Sequence, residues 1–225
     1  SAIAKAIDKS QISEVIYQGI RKPASGLLPP GIPGFKSGQG LTDSRDLAGA
    51  KADYKKWLAL GNKTPSPIRL SYNDGAGWDK VASIIVANLK DVGIPAKLDP
   101  FAADGTYFSK MRSGKGQIIR GGWFADYPIA DNFLYPLLHS KTIDGDNLER
   151  YNSKAFDALV DSARSSTNKS FAQSQYRRAE VQALKTDVVM VPTVNRGVAV
   201  VLASSTSTFP ITPLGMIVYD QIVKN

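Results

Sequence analysis

The spacing of apolar residues in the middle of the chain predicts a strand–helix–strand unit. Residues 68–72 alternate between apolar and polar side chains, as a half-buried strand does, and a Gly- and Asn/Asp-rich turn follows at 73–77. Residues 78–92 carry apolar side chains at helical spacing and end at Gly93, and residues 94–98 form the next strand-like run. A unit of about 30 residues in this order is typical of two parallel strands.

A third strand is predicted just beyond this unit. A short helix around Tyr107, Phe108 and Met111 leads into the strand-like run 117–119. Because this run follows another helical crossover, we expect its strand to lie parallel to the first two. The residues directly after it, 120–128, then lie at the carboxyl end of the sheet, where open α/β sheets bind their ligands.

Further helices are predicted before these strands. The chain is helical from its start, a second helix begins at a capping box formed by Asp8 and Gln11 and ends at Gly19, and a third runs from a cap at Asp43 or Ser44 to Gly61. Their predicted buried residues are Ile3 and Ile7 in the first, Ile12, Val15 and Ile16 in the second, and Leu47, Ala50, Tyr54, Trp57 and Leu58 in the third.

The second half of the chain is predicted to hold two helices and two strands. Residues 127–151 are predicted to be irregular and polar. Ser153 caps a helix, another helix follows over 170–185, and strands follow at 188–191 and 198–202. The predicted buried residues of the two helices are Phe156, Leu159, Val160, Ala163, Phe171, Tyr176, Ala179, Val181 and Leu184.

Residues 19–40, the Pro/Gly loop, interrupt this pattern. Prolines and glycines recur throughout them, so they cannot hold a helix or a strand ladder. Long ordered loops tend to be functional or to wrap a neighbour. One hypothesis for the whole chain is therefore an interaction module in which this loop docks a partner protein, and a mobile connector is the alternative.

Composition removes several classes of site. The 225 residues contain no cysteine and one histidine, His139, which excludes thiolate catalysis, cysteine-based zinc sites and any site that needs two histidines. The net charge is +8, but the lysines and arginines are scattered without a basic block, so we expect a solvated surface and no nucleic-acid partner. A hydrolase that uses His139, or Asp126 with Asp131, is an alternative hypothesis, although Asp131 is more simply interpreted as a helix cap.

The start of the chain has a consequence for its context. No apolar run is long enough to span a membrane, and no export-signal pattern is present. The chain opens directly in a helical pattern, whereas a natural start usually has a frayed lead-in. We therefore expect a mature or truncated segment of a longer protein.

The candidate chemistry is concentrated in residues 120–128. Arg120 and Asp126 flank Trp123 directly after the third predicted strand. An unpaired charge is costly at the end of a buried strand, so a cation and a carboxylate around an indole favour a polar ligand that carries both charge signs. The simpler alternative is an ordinary strand end with a surface arginine and a turn-forming aspartate before a proline.

Four segments, in their order and spacing, resemble the C-terminal lobe of the family 5 extracellular solute-binding proteins, the dipeptide and oligopeptide receptors of ABC importers. The resemblance spans nearly the whole chain, which would cover roughly the second half of a normal member. The segments are residues 6–9 (AIDK), 27–34 (LLPPGIPG), 122–128 (GWFADYP) with 132–134 (NFL), and 213–215 (PLG).

The resemblance implies an α/β, periplasmic-binding-protein-like lobe of type II, similar to cluster C, in which a mixed sheet is flanked by helices. Residues 1–207, with the loop at 19–40, would form the C-terminal ligand-binding lobe. Residues 208–225 would form an extended tail that returns toward an N-terminal lobe missing from this chain. Two such lobes close on an extended peptide by a hinge motion.

The resemblance also assigns roles within the motif. Asp126 occupies the place of the aspartate that pairs with the terminal ammonium of a peptide ligand, and Arg120 that of an arginine that can meet a ligand carboxylate. Trp123 would line a side-chain pocket, and Phe124 and Tyr127 complete the expected ligand-binding set. No catalytic residue, metal or cofactor is expected, because the family is not catalytic.

The partners implied by the resemblance are a peptide, the membrane permease subunits of an ABC importer and the N-terminal lobe. The protein would lie in the periplasm, or be lipid-anchored at the extracellular face of the cell membrane. Members of the same family also carry nickel complexes, haem, opines and sugars. Asp126 favours an amine-bearing ligand over these, without excluding them.

Overall fold

The computed structural model describes the chain except at residues 65–66, 198, 213–214 and 225. The predicted motif at 213–215 therefore lies mostly outside the described residues, as does the first residue of the strand predicted from position 198.

Three parallel strands form the sheet of the lobe. β1 (Ile68–Asn73) lies between β2 (Ala96–Phe101) and β3 (Ile118–Ile119), and Leu70 of β1 is in register with Ile118 of β3. Each connection crosses over through a helix, as parallel strands require. The predicted strand–helix–strand unit and its parallel direction are confirmed.

The first crossover helix has the bounds that the sequence pattern predicts. α4 (Trp78–Val92) begins after Gly77 and ends before Gly93, and both glycines have a positive φ, of 76° and 91°. A side chain would be strained in this left-handed conformation, so the two glycines delimit the helix. Leu89 and Val92 of α4 lie buried against the first and third helices of the chain. The second crossover is α5 (Thr106–Arg112).

The start of the chain is helical, as predicted, but one predicted core residue is exposed. α1 (Ala2–Ala6) is followed by α2 (Lys9–Gln11), whose first backbone N–H groups are capped by Asp8. α2 continues into a π-helical turn at Ile12–Ile16. A π turn changes the angle between successive side chains. Val15 is consequently 65% exposed, and the prediction that it is buried is wrong.

α3 (Leu47–Ala59) begins two or three residues later than the two predicted caps imply, and its cap differs. Asp46 is the N-cap, because its Oδ1 accepts the N–H of Gly49 at 2.8 Å, so the caps predicted at Asp43 or Ser44 are wrong. The apolar stripe of α3 is also narrower than predicted, since Ala50 is fully buried while the last two members of the stripe are exposed. Those exposed members are Trp57 and Leu58.

The largest core cluster lies in the second half of the chain, around three helices. They are α6 (Asp131–Leu138), α7 (Lys154–Arg164) and α8 (Lys169–Val181), the last continuing into a π-helical turn at Gln182–Thr186. The cap of α7 by Ser153 is confirmed. The fully buried members of the cluster are Leu134, Leu138, Phe156, Val160, Ala179 and Ala183.

α6 corrects the prediction that residues 127–151 are irregular throughout. The prolines and acidic residues of the segment 127–151 are typical of a loop, but the apolar residues of α6 lie on one face and are buried against α7 and α8. Burial of that face stabilises a helix that local propensity does not favour. Phe171 was predicted to be buried, but it lies in the first turn of α8 and is exposed, so that prediction is wrong.

Residues 188–191 are not a strand, and neither are the described residues 199–202. The segment that follows α8 runs instead beside the Pro/Gly loop, where the N–H of Ala24 donates to the carbonyl of Thr193 at 3.0 Å. Pro23 faces Val194 in an isolated antiparallel bridge, and on its other side the N–H of Asn195 donates to the carbonyl of Lys22 at 2.8 Å. The pairing does not continue into residues 188–191 or into the described residues 199–202, so neither run is a strand.

An antiparallel pair of strands lies near the end of the chain. β4 (Thr206–Thr208) pairs with β5 (Val223–Lys224), and this pair is separate from the three-stranded sheet. In the described residues, the three-stranded sheet of the lobe is parallel, and the antiparallel pair is a separate sheet. The expected mixture of strand directions is therefore found between two sheets and not within one. No helix in the described ranges has the length and apolar character needed to cross a membrane.

Two buried charged side chains anchor the Pro/Gly loop, which contains no helix or extended strand, as predicted. Lys9 Nζ donates to the carbonyls of Ala24 and Thr42, each at 2.9 Å. Glu180 Oε1 accepts the N–H groups of Leu27 at 2.7 Å and Leu28 at 3.0 Å. These contacts hold the loop against α8 and the start of the chain, which argues against a mobile connector.

Candidate functional site

The backbone of Arg120 is fixed at the carboxyl end of β3. Its N–H donates to the carbonyl of Ser71 at 2.9 Å, which extends the pairing between β3 and β1 by one residue. Its carbonyl accepts the hydroxyl of Tyr107 at 2.6 Å, and Tyr107 is fully buried. The sheet and α5 together therefore set the position from which the Arg120 side chain leaves.

The guanidinium of Arg120 is stacked and partly desolvated. Its carbon lies 3.7 Å from the centre of the Trp78 ring, and Nη1 donates to Oδ1 of Asn73 at 3.2 Å. Nε is buried without a hydrogen-bond partner. Gly122 leaves room for the group, since a Cβ there would lie 3.3 Å from Nη2.

Arg120 has no counter-ion among the described residues. Burial lowers the pKa of its guanidinium, yet an arginine stays protonated in proteins. A desolvated cation with an unsatisfied N–H is poised to take an anionic group, because a charged acceptor would offset the cost of its burial.

A second arginine lies beside the first. The guanidinium carbon of Arg21 lies 4.1 Å from the ring centre of Tyr17 and 5.7 Å from the ring centre of Trp78. The hydroxyl of Tyr17 is buried without a hydrogen-bond partner, and burial raises its pKa, so it is a neutral donor. Tyr17, Arg21, Trp78 and Arg120 form what we call the cationic cluster, which favours an anion.

Asn132 orients both Trp123 and Asp126. This buried amide accepts the indole Nε1–H of Trp123 at 3.2 Å and the backbone N–H of Asp126 at 2.8 Å. Its Nδ2 donates to Oδ2 of Asp126 at 3.3 Å. The first turn of α6 therefore fixes the indole and the carboxylate relative to each other.

Asp126 is exposed and forms no ion pair within the described part of the chain. It is less desolvated than a carboxylate held inside a closed cleft, because no described residue covers it. Oδ2 accepts a hydrogen bond from Asn132, and the other carboxylate oxygen can accept one from an ammonium group.

A concave region of about 1450 Å³ opens beside these residues. Arg120, Trp123 and Phe124 line it, whereas Asp126 and Tyr127 lie outside its lining. The structure thus brings three of the five predicted ligand-binding residues to one concave surface and places the other two next to it along the chain.

Phe124 and Tyr127 make contacts that the sequence pattern does not indicate. Phe124 is 62% exposed, and the guanidinium carbon of Arg196 lies 4.2 Å from its ring centre. The hydroxyl of Tyr127 donates to Oδ2 of Asp131 at 3.0 Å. The ring of Tyr127 is therefore exposed, while its hydroxyl is already hydrogen-bonded.

Asp131 does not cap α6, and that interpretation is wrong. Ala130 is the N-cap, and Asp131 is the first helical residue. Its two oxygens accept the hydroxyls of Tyr127 and Tyr176, and Arg164 Nε lies 3.5 Å from Oδ1. A buried carboxylate with three partners connects α6, α7 and α8.

His139 is a buried structural residue at the end of α6. It is 1% exposed, and its Nε2 lies 3.2 Å from Oδ1 of Asp161 and 3.7 Å from Oδ1 of Asp157. Its Nδ1 accepts the N–H of Lys141 at 3.1 Å. Its partners are thus on α7 and in the next turn, and they do not include Asp126 or Asp131, so the hydrolase constellation is not assembled.

No group of three or more histidine or acidic side chains in the described ranges is arranged to hold a metal ion.

Five residues of the site were missed by the sequence reasoning, namely Tyr17, Arg21, Asn73, Trp78 and Asn132. Asn73 ends β1 and Trp78 follows it, so the rule that ligands bind at the carboxyl ends of strands could have identified these two. Asn132 belongs to a segment that carries the family resemblance, but its contacts with Trp123 and Asp126 depend on how α6 packs beside the motif.

Comparison with known proteins gives a family match. A sequence model of the bacterial extracellular solute-binding proteins, family 5 Middle, matches residues 1–145. The haem-binding protein A of Haemophilus influenzae is 30% identical over 194 residues, which is 80% of this chain and 33% of that protein. The dipeptide-binding protein of Escherichia coli is 27% identical over 185 residues, which is 80% of this chain and 34% of that protein.

Solved structures give the same fold. HbpA2 from Haemophilus parasuis superposes with a TM-score of 0.83 at 21% identity, covering 100% of this chain and 44% of that one. The α/β lobe predicted from the sequence is confirmed by this likeness. The chain spans about a third of the length of the two curated relatives named above.

Proposed function

Because the chain belongs to the family 5 bacterial extracellular solute-binding proteins, which are binding proteins and not enzymes, we propose that it is the C-terminal ligand-binding lobe of a peptide receptor of an ABC importer. One observation carries the proposal. Arg120 and Asp126 carry opposite charges, flank Trp123, and have no ion-pair partner among the described residues. A peptide is a zwitterion whose two ends match those charges.

Asp126 would bind the terminal ammonium of the peptide, and Arg120 a carboxylate. A hydrogen bond to a charged group contributes about 1.5–3 kcal/mol, so the two ends set the register of the ligand. Trp123 and Phe124 supply an aromatic wall for ligand side chains, and the exposed ring of Tyr127 extends it. Backbone pairing would supply the remaining affinity without selecting a sequence.

The lobe would be residues 1–207, and residues 208–225 would return toward an N-terminal lobe that closes the cleft. Support comes from large apolar side chains exposed near the end of the chain, since such patches mark interfaces. The most exposed of them are Val201 at 99% and Tyr219 at 74%. The closed receptor would act outside the cytoplasm, in the periplasm or held at the membrane by a lipid anchor, and deliver peptide to membrane permease subunits.

Asp126→Asn tests the ammonium anchor. Asparagine keeps the shape and the contact with Asn132 but removes the charge, so we expect affinity for Ala-Ala-Ala to fall at least tenfold. Calorimetry on the full-length gene product would measure it. Asp104→Asn is the matched control, because Asp104 is an exposed carboxylate just before α5 and does not line the concave region. Equal binding of Ala-Ala-Ala and its N-acetylated form by wild type would remove Asp126 from the site.

A haem receptor is the second candidate, and the cationic cluster favours it. Arg21 and Arg120 could meet two propionate groups beside the aromatic surface of Trp78. The only histidine is buried, so His139 would not reach the iron. Titration with haemin, followed by its Soret absorbance, separates the candidates. Saturable haem binding that peptides do not displace would favour this second function.

A further inference from the structure

A carboxylate outside the predicted motif also lines the concave region. Glu149 lies in the segment between α6 and α7, is half-buried, and borders the same space as Arg120 and Trp123. Within the described residues it forms no ion pair, and no other residue donates a hydrogen bond to it. The nearby carboxylates Asp144 and Asp146, in contrast, each form an ion pair.

The two arginines next to Glu149 are already paired with other carboxylates. Arg112 Nη2 lies 3.5 Å from Oδ1 of Asp146, and its Nε donates to the carbonyl of Gly145. Arg150 Nη1 lies 2.6 Å from Oδ1 of Asp144 and also donates to the carbonyl of Arg112. The positive charges on this rim are therefore neutralised locally, and Glu149 keeps its own negative charge unbalanced.

An unbalanced, partly desolvated carboxylate is unfavourable unless something binds to it. Burial raises the pKa of Glu149 to about 7, which reflects this cost. The carboxylate is close enough to Tyr107 to raise the pKa of its phenol in turn, and that hydroxyl holds the carbonyl of Arg120. Glu149 thus belongs to the wall that carries Arg120.

We propose that Glu149 is a subsite for a positively charged side chain, a lysine or an arginine, of the bound ligand. The inference rests on the proposed peptide function and adds a side-chain preference to it. A ligand ammonium would supply the counter-charge that Glu149 lacks among the described residues. Because the site is partly desolvated, a charged hydrogen bond is strong there. Neutral peptides would leave Glu149 protonated or hydrated and would bind without this contact.

The preference depends on pH in a defined direction. Only the ionised form attracts an ammonium, and with a pKa about 7 its population rises between pH 6 and pH 8. Of the groups beside it, Arg112 and Arg150 stay protonated and paired with Asp146 and Asp144, and burial raises the pKa of Tyr107 to about 12. Selectivity for a basic side chain should therefore increase with pH.

The experiment compares Ala-Lys-Ala with Ala-Ala-Ala on the full-length gene product by calorimetry. At pH 8 we expect wild type to prefer Ala-Lys-Ala, and Glu149→Gln to reduce the ratio of the two affinities at least fivefold while binding Ala-Ala-Ala as before. From pH 8 to pH 6, the ratio of the two affinities should fall for wild type and stay constant for Glu149→Gln. Glu14→Gln is the matched control, since it makes the same substitution at an exposed carboxylate that does not line the concave region and forms no ion pair within the described residues.

An unchanged ratio in Glu149→Gln, or an equal loss in Glu14→Gln, would overturn the subsite. If neither tripeptide binds to wild type, the peptide function fails separately. The subsite is then tested with hexylammonium chloride, whose tail suits an apolar wall. Equal affinity of wild type and Glu149→Gln for that cation would overturn the subsite, and a fivefold or larger loss would support it.

Discussion

Replacing Glu180 with alanine is expected to destabilise the Pro/Gly loop by about 3 kcal/mol. The carboxylate is 1% exposed and accepts the N–H groups of Leu27 and Leu28, which have no other way to be satisfied in a buried loop. Alanine would leave both donors unpaired and open a cavity. Hydrogen exchange of these two amides should become faster by about a hundredfold, which is the direct measurement.

Glu180→Gln is the control that separates the hydrogen bonds from the charge. Glutamine keeps an acceptor for both amides, so we expect stability within about 1 kcal/mol of wild type near neutral pH. Burial raises the pKa of Glu180, and its second oxygen has no partner. The folded state therefore binds the proton more tightly than the unfolded one, and stability falls as the pH rises from about 4.5 through the raised value.

The part of that pH dependence that comes from Glu180 should be absent in Glu180→Gln, while the part that comes from the raised pKa of Glu149 remains in all three proteins. Urea unfolding of wild type and both variants at several pH values between 4.5 and 8 would record it. Amide protection of Leu27 and Leu28 that is the same in Glu180→Ala and wild type would show that the loop does not depend on Glu180. An equal loss in the alanine and glutamine variants would show that the carboxylate itself, and not any acceptor of the same size, holds the loop.

The parallel unit could be predicted from the sequence because its signals are local. α4 begins and ends at glycines with positive φ, and its apolar residues follow a regular helical period. The cap of α7 at Ser153 is equally local. Each of these features depends on a few consecutive residues, so no knowledge of the rest of the fold is needed.

The features that were missed depend on contacts between distant segments. α6 is a helix because α7 and α8 bury its apolar face. The predicted strands after α8 do not form, and the described residues of this segment meet the Pro/Gly loop at the isolated bridge between Pro23 and Val194. Val15 is exposed because a π turn alters the helical period at that point. None of these effects is visible in the spacing of the residues concerned.

The candidate site was predictable in part for the same reason. Arg120, Trp123 and Asp126 are close in the chain and follow a strand, so one positional rule finds them. Asn132, which orients two of them, and Glu149, which shares their concave surface, come from segments whose positions are set by packing. Only the folded lobe brings them together.

Arg120→Ala is expected to reduce affinity for a peptide with a free carboxylate by about a hundredfold, if the carboxylate meets this guanidinium. Truncating one partner of a desolvated charge pair costs about 2–5 kcal/mol, because the other charge is left buried and unpaired. Arg120 is pre-organised for this role by the ring of Trp78 and by Asn73, so little rotamer entropy is lost on binding.

The contact is isolated by comparing two ligands, with and without a free carboxylate, on the same protein. Wild type should bind Ala-Ala-Ala more tightly than its C-terminal amide, and Arg120→Ala should bind the two alike, whatever the substitution does to stability. Arg69→Ala is the matched control, since Arg69 lies on β1 beside Asp99 and does not line the concave region. A variant that still discriminates fully between carboxylate and amide would place the ligand's negative end elsewhere. Arg21 is then the next residue to test, because it is the other arginine stacked on the same indole.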